Sequence, residues 1–214
     1  MTPAAFVRAH TRLAPVPLVP EISLHLAGEP YGIWAQTEHE LGRRDLPPPF
    51  WAFAWAGGQA LARYLLDHGD LICGRSVLDV AAGSGLVAIA AARAGARPVA
   101  ASEVDVFAAA AIGINAQVNG AAVAVALADI LDGAGQDADV VLAGDVCYEK
   151  SMAGRVLQYL SRASASGCDV LIGDPGRAYL PRERLEPVAR YDVLTLRALE
   201  DTEVKRTTVW RLAR

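Results

Sequence analysis

Cysteine is scarce in this chain: Cys73, Cys147 and Cys168 form an odd set with no Cys-x-x-Cys spacing. That excludes a disulfide framework and a thiolate zinc site, and leaves buried free thiols as the expectation. Lysine is scarcer still, with Lys150 and Lys205 alone among 20 basic residues. The net charge of −4 offers no basic footprint, so a nucleic-acid partner is not expected. Long apolar runs are missing too. Mean hydropathy is +0.24, yet Asp79, Glu103, Asp105, Asp129, Asp139 and Asp145 interrupt every apolar stretch before it reaches the roughly 18 residues of a membrane span. The beginning of the chain lacks the basic start, apolar core and cleavage site of a secretory signal, since Arg8, His10 and Arg12 break its apolar stretch. These absences point to a soluble, cytoplasmic protein with no membrane partner and no bound metal.

What is present is a large apolar inventory. At 214 residues, 53% of them hydrophobic, the chain suits a single domain, 1–214. Residues 1–74 read as an N-terminal cap region with a first helix, and 75–214 as the sheet core. In the cap, joints at Pro15, Pro17, Pro20 and Pro47-Pro48-Pro49 separate short pieces. These read as a helix over 3–13, a strand over 22–26, and a second strand over 31–37 that forms a hairpin with it across Gly28-Glu29-Pro30. Leu61, Ala62, Tyr64 and Leu65 give a helical stripe over 58–67, preceded by the aromatic residues Phe50, Trp51, Phe53 and Trp55.

From Arg75 onward, strands over 76–81, 97–103, 122–128, 139–145 and 168–174 alternate with helices over 85–95, 106–118 and 151–164. Such alternation predicts a Rossmann-like α/β fold, a mostly parallel sheet with helices on both faces. Strands over 190–198 and 206–212, joined by Glu200-Asp201-Thr202-Glu203, complete seven strands with a C-terminal antiparallel hairpin.

The segment from Ser76 through Asp79, Ala81, Gly83 and Gly85 is a strand, a glycine turn and the start of a helix. Gly83 and Gly85 permit a tight turn and close backbone approach, and the helix opening at Leu86 directs its positive end toward that turn. Gly83-x-Gly85-x-x-Ala88 also fits the relaxed dinucleotide fingerprint, so the turn alone leaves the cofactor class open. Glu103, ending the next strand, offers two acceptor oxygens to ribose hydroxyls; its bland alternative is a solvated acid at a helix start.

Two details favour S-adenosylmethionine over NAD. Asp79 puts a carboxylate where a dinucleotide binder must accommodate a pyrophosphate anion, and there it fixes the loop or meets the methionine ammonium. Asp129, after the third strand, accepts from an adenine amino group or simply holds a turn. Oxidoreductase chemistry finds no Tyr-x-x-x-Lys pair and no second nucleotide-binding half.

The fourth parallel strand ends in Ala143-Gly144-Asp145-Val-Cys-Tyr148-Glu149, beside the glycine turn at the topological switch point. It lacks the Asn/Asp-Pro-Pro-aromatic loop usual in enzymes that methylate amines of nucleic-acid bases. Further motifs are Pro-Phe-Trp-Ala-Phe-Ala-Trp55 with Gly57-Gly58-Gln59, Val77-Leu78-Asp79, Ala101-Ser-Glu103-Val-Asp105, Asn115, Asn119-Gly120 and Gly173-Asp174-Pro175-Gly176-Arg177. On these residues, which span most of the chain from Pro47, the sequence resembles the seven-strand class I methyltransferases with an Asp-x-x-Tyr motif. Within them it is most similar to the electron-transfer flavoprotein β-subunit lysine methyltransferases and their bacterial relatives.

The resemblance implies methyl transfer from S-adenosylmethionine to a lysine ε-amine of a protein. It names the electron-transfer flavoprotein β subunit as substrate, with a ribosomal protein as a second target. It implies cofactor contacts from Trp55, Asp79, Ala81, Gly83, Gly85, Glu103, Asp129 and Asp145. Asp145 is expected to orient the amine by hydrogen bonding, or else to cap the following helix; Tyr148 lines the lysine channel, or else merely packs. Trp55 closes over the cofactor or the lysine stem, and Asp174 and Arg177 touch the protein substrate unless they only build a Pro-Gly turn. Two residues depart from the family pattern. Ala81 replaces a glycine, which is tolerable at ordinary backbone angles, and Glu103 replaces an aspartate. The rival readings are a small-molecule, nicotinamide-like N-methyltransferase, a ribosomal-protein methyltransferase, and a non-enzymatic cofactor-binding module. A monomer is expected.

Overall fold

The computed structural model describes residues 1–42, 48–133, 138–195 and 199–213. Pro47, and residues 196–198 at the end of an expected strand, lie outside the described residues.

The chain opens with α1 (Pro3–His10), whose Thr2 hydroxyl accepts from the Ala5 amide at 3.2 Å. This helix is shorter than expected, because Thr11 is already extended and leads into β1 (Arg12–Val16). β1 pairs antiparallel with β2 (Val19–Leu26), so the expected strand at 22–26 exists but its partner precedes it. The expected strand at 31–37 is instead part of α2 (Pro30–Leu41). Its cause is local: the Glu29 carboxylate accepts from the Gly32 amide at 2.8 Å, and Pro30 sits at the first helical position, where its missing N–H is no loss. Gly28-Glu29-Pro30 is therefore a helix start rather than a hairpin turn.

Then follow α3 (Ala56–Asp67), β3 (Val77–Val80), α4 (Leu86–Arg93), β4 (Val99–Glu103), α5 (Val106–Val118), β5 (Ala124–Leu127) and β6 (Val140–Gly144). The chain continues through α6 (Lys150–Ala165), β7 (Asp169–Asp174), β8 (Leu185–Leu194) and β9 (Val204–Leu212). From β3 to β7 the elements fall where the alternation puts them; β8 begins ahead of its expected start. One seven-stranded sheet runs in the order β5-β4-β3-β6-β7-β9-β8, parallel from β5 to β7, with β9 antiparallel to both its neighbours. Because β3 is flanked by β4 on one side and β6 on the other, the turn after β3 opens onto the switch-point crevice.

Alternation along β3 assigns its side chains to two layers. Val77 packs with Leu61, Leu65, Ala88 and Ala91 of α3 and α4, while Leu78 and Val80 pack with Val156 and Leu160 of α6. The α3 layer approaches the sheet very closely. A Cβ on Gly57 would lie 2.2 Å from the Gly173 carbonyl oxygen, and one on Gly173 would lie 2.1 Å from that of Gly57. Neither position has room for any side chain.

Polar side chains dock the N-terminal hairpin. Asn115 of α5 accepts from the His25 amide at 2.8 Å and donates to the Ser84 carbonyl at 2.9 Å, linking β2 to the glycine turn. Asn119, one turn on, pairs with both the amide and the carbonyl of Ser23, at 3.0 and 2.7 Å. Gln59 does the same between Leu18 and Ala54. Asn115 and Gln59 are buried and Asn119 half-buried, and each both donates and accepts, so they fix register where apolar packing would permit sliding. Among the described residues no helix is long and apolar enough to cross a membrane. Cys147 and Cys168 are buried as expected, whereas Cys73 is exposed, on the loop leading into β3.

Candidate active site

The carboxyl ends of β3, β4 and β6 and the segment after β5 enclose a cavity of about 380 Å³, a size typical of small-molecule sites. Trp55, Asp79, Ala81, Gly83, Glu103, Asp129, Asp145, Tyr148 and Arg177 all line it, joined by Phe50. Gly85 and Asp174 do not. Gly85, at φ 81°, instead lets the turn approach Ile112, which a Cβ would meet at 3.0 Å.

The cofactor side begins with an irregularity. Ala81 has φ 53°, so the expectation of ordinary backbone angles fails. The turn needs a left-handed residue here and alanine adopts it at a cost of about 1 kcal/mol. Asp79 is 1% exposed, and its Oδ2 accepts from the amide of Ala88, the third residue of α4, at 3.0 Å. Burial pushes its pKa up to about 8, with the neighbouring Glu103 charge adding to the effect. Among the described residues no basic side chain offsets this burial.

Glu103 is partly buried, and burial raises its pKa. Its Oε1 accepts from the Gly83 amide at 2.7 Å and its Oε2 from Val104 at 3.0 Å. Asp105, not Glu103, caps α5 by accepting from the Phe107 amide, which removes the reading of Glu103 as a helix-start acid. A carboxylate has about four acceptor sites and the Asp105 amide also engages this one, so Glu103 retains about one for a hydroxyl donor. Asp129 is exposed and already engaged. It accepts from the Leu131 amide at 3.1 Å and pairs with Arg155 at 2.9 Å, and this ion contact lowers its pKa.

The chemistry of this donor set fits S-adenosylmethionine. Asp79 can take the ammonium, Glu103 a ribose hydroxyl and Asp129 the adenine rim, while the turn supplies close backbone.

On the acceptor side Asp145 also has a left-handed backbone, φ 54°. It does not cap α6, because Glu149 does so by accepting from Ser151 and Met152, both at 2.8 Å. Instead Asp145 Oδ2 accepts from the Gly58 amide of α3 at 3.0 Å. Its Oδ1 accepts from Arg177 Nη2 at 2.8 Å and Nε at 3.2 Å. Burial raises the Asp145 pKa, and the Arg177 charge and hydrogen bonds oppose that rise. Arg177 lies 5.8 Å from the Trp55 ring centre, so this indole presents its face to the protein's own cation. The Trp55 N–H donates to the Phe50 carbonyl at 2.8 Å, and the Phe50 ring stands 5.0 Å from that of Tyr148. Tyr148 is 43% exposed and lines the cavity. Next to it Cys147 is fully buried, with its pKa pushed up to about 12, an inert thiol.

Asp174 corrects a sequence expectation. It is 1% exposed and outside the cavity, with Oδ1 accepting from the Gly176 and Arg177 amides at 2.6 and 2.7 Å, the turn-building contact that stood as the alternative to a substrate contact. Its work is to aim the Arg177 backbone; burial pushes its own pKa up to about 6. Sequence reasoning missed Glu200. This residue of the β8–β9 turn is buried and grips Arg177 at 2.6 and 3.1 Å, although the sequence shows only a stretch of turn acids. Among the described residues no His, Cys, Asp or Glu cluster can hold a metal.

Residues 60–146 match the ribosomal protein L11 methyltransferase (PrmA) family. The structure is similar to that of a ribosomal protein L11 methylase from Lactobacillus delbrueckii subsp. bulgaricus, with a TM-score of 0.52, 18% identity, and coverage of 76% of this chain and 81% of that one. It is also similar to magnesium protoporphyrin IX methyltransferase from Synechocystis with bound S-adenosylmethionine, with a TM-score of 0.53, 16% identity, and coverage of 73% and 78%. At such identities the likeness concerns the fold. Sequence similarity is closer to the electron transfer flavoprotein beta subunit lysine methyltransferases of Danio rerio, 36% identical over 91% of this chain and 76% of the relative, and of Xenopus laevis, 35% identical over 97% and 86%. The human enzyme of that name is 36% identical over 90% of this chain and 75% of its own length. The chain belongs to the electron transfer flavoprotein beta subunit lysine methyltransferase family.

Proposed function

We propose that this protein methylates a lysine ε-amine of the electron-transfer flavoprotein β subunit, using S-adenosylmethionine. The observation that carries the reading is one cavity with two differently built ends. A buried carboxylate with no offsetting basic side chain among the described residues, Asp79, stands at the cofactor end, and an Asp145–Arg177 pair with Tyr148 stands at the acceptor end. When bound, S-adenosylmethionine supplies an electrophilic methyl group on a cationic sulfur.

The chain's own residues then have three tasks. Asp79 and Glu103 bind and orient, through one anionic and one hydroxyl-accepting contact. Phe50, Trp55 and Tyr148 form an aromatic passage that sheds water from a lysine stem. Asp145 accepts a hydrogen bond from the amine and directs its lone pair.

Proton loss from the lysine is the energetic obstacle. With a pKa near 10.4 an amine is neutral about once in 2,500 at pH 7, a cost of roughly 4.6 kcal/mol. Arg177, itself partly buried, disfavours a second cation beside it and so lowers the amine pKa, while Asp145 raises it. Asp145 therefore acts by orientation rather than as a strong base.

The match to the ribosomal protein L11 methyltransferase family ends at Val146, so it takes in the cofactor side and Asp145 but not Trp55, Tyr148 or Arg177, and says little about the acceptor. The acidic net charge supports a reading without nucleic acid, and we infer a cytoplasmic monomer. The test is incubation with labelled S-adenosylmethionine and the purified β subunit, followed by peptide mapping. Label on a β-subunit lysine is expected. Label found only on small molecules, or on a ribosomal protein in whole lysate, overturns the substrate reading.

A further inference from the structure

We propose that Glu200 is a positioning residue for methyl transfer: through Arg177 it fixes the direction of Asp145 and sets the local charge beside the acceptor amine. The inference rests on the lysine methyltransferase reading above.

The geometry is that of a guanidinium shared by two carboxylates. Arg177 Nη2 donates both to Glu200 Oε1 at 2.6 Å and to Asp145 Oδ1 at 2.8 Å; Nη1 donates to Glu200 Oε2 at 3.1 Å and Nε to Asp145 at 3.2 Å. All three side chains are largely shielded, at 18%, 9% and 5% exposure for Arg177, Asp145 and Glu200. An arginine fork held on two edges cannot rotate, and neither can the Asp145 oxygen it grips. The same fork carries the Arg177 plane against Trp55, so one carboxylate orders both the polar and the aromatic wall of the acceptor end. Glu200 reaches this position because Leu199 beside it packs into the cluster containing Phe53 and Trp55, and Lys205 of β9 steadies its second oxygen at 3.6 Å.

The charge consequence follows from counting the groups that face this point. Asp145 and Tyr148 come from the β6 end, Asp174 and Arg177 from the β7 end, Asp201 and Lys205 from the hairpin, and Glu103 from the cofactor wall. Lys205 is matched by Asp201, so Glu200 leaves the Asp145–Arg177 pair with a net negative surplus. That surplus attracts a lysine ammonium to the site and, as its counterpart, retards its deprotonation.

Glu200→Ala, Glu200→Gln and Glu200→Asp separate positioning from simple support. Wild-type protein is assayed first with the β subunit and S-adenosylmethionine; absence of lysine methylation there would defeat the functional reading, not this one. With wild-type turnover in hand, Glu200→Ala should lower kcat at least tenfold while KM for S-adenosylmethionine stays within twofold. Glu200→Asp should recover part of the loss. Glu200→Gln keeps the shape and removes the charge, so the acid limb of its kcat–pH profile should move down by about half a unit. If Glu200→Ala melts at assay temperature, the Glu200→Gln profile decides. An unshifted limb in Glu200→Gln, or a Glu200→Ala protein with kcat within twofold of wild type, overturns the proposal.

Discussion

Asp79 and Asp145 are both buried carboxylates at the carboxyl ends of neighbouring strands, and each accepts an amide from the third residue of a helix, Ala88 of α4 and Gly58 of α3. They differ in what stands opposite. Asp145 is gripped by Arg177, which keeps its charge tolerable in the protein itself. Asp79 has only the helix amide, and burial pushes its pKa up to about 8. Two similar side chains on one scaffold thus have opposite appetites. The acceptor end meets its ligand with its carboxylate already held by a cation of the protein, whereas the cofactor end meets its ligand as an acid that a cation would ionise.

The severest way to break this comparison is to move one helix. In Gly57→Ala the new Cβ would meet the Gly173 carbonyl at 2.2 Å and Asp145 Oδ2 at 2.5 Å, so α3 must retreat from Asp145. We expect methylation to fall by 10²-fold or more on the order of a misaligned site, with stability down by about 3 kcal/mol in calorimetric melts. Asp145→Asn is gentler: turnover should drop on the order of 10²-fold, while S-adenosylhomocysteine affinity in titration calorimetry barely changes. Equal losses of turnover and affinity would erase the distinction between the two ends.

Asp79→Asn should show the reverse pattern, with S-adenosylhomocysteine binding weakened on the order of tenfold. It also carries a pH signature. The folded pKa of Asp79 lies above the unfolded value of 3.8, so its contribution to stability without cofactor is complete below that value and is lost as pH rises toward about 8. Wild-type Tm should accordingly decline across that window more than Tm of Asp79→Asn. The smallest effect belongs to the turn between strand and helix: Ala81→Gly relieves a φ of 53° and should stabilise by about 0.5–1 kcal/mol, read as a slightly higher Tm.

The sequence announces the parallel half of the fold because buried strands and amphipathic helices alternate there with few competing signals. The cap region is harder to read. Gly28-Glu29-Pro30 serves a hairpin turn or a helix start equally well, and only the Glu29 contact to Gly32 distinguishes them. That Asp79, Glu103, Asp145 and Tyr148 come together around one cavity was legible because their positions at or just after strand ends follow from topology. Glu200 was not, since its role depends on a hairpin turn folding back to a residue 23 positions earlier. The left-handed angle of Ala81 was hidden for the opposite reason: its residue type argues against the conformation that the turn imposes.

The unequal charge balance of the two ends is tested most directly by proton release on cofactor binding. Calorimetric titration of the protein with S-adenosylhomocysteine at pH 7, repeated in buffers of different ionisation enthalpy, counts the protons exchanged. An acid with a pKa of about 8 that becomes paired with an ammonium should release close to one proton per site in wild type and in Asp145→Asn, and none in Asp79→Asn. Binding without proton release in wild type, or equal release in Asp79→Asn, would contradict the account.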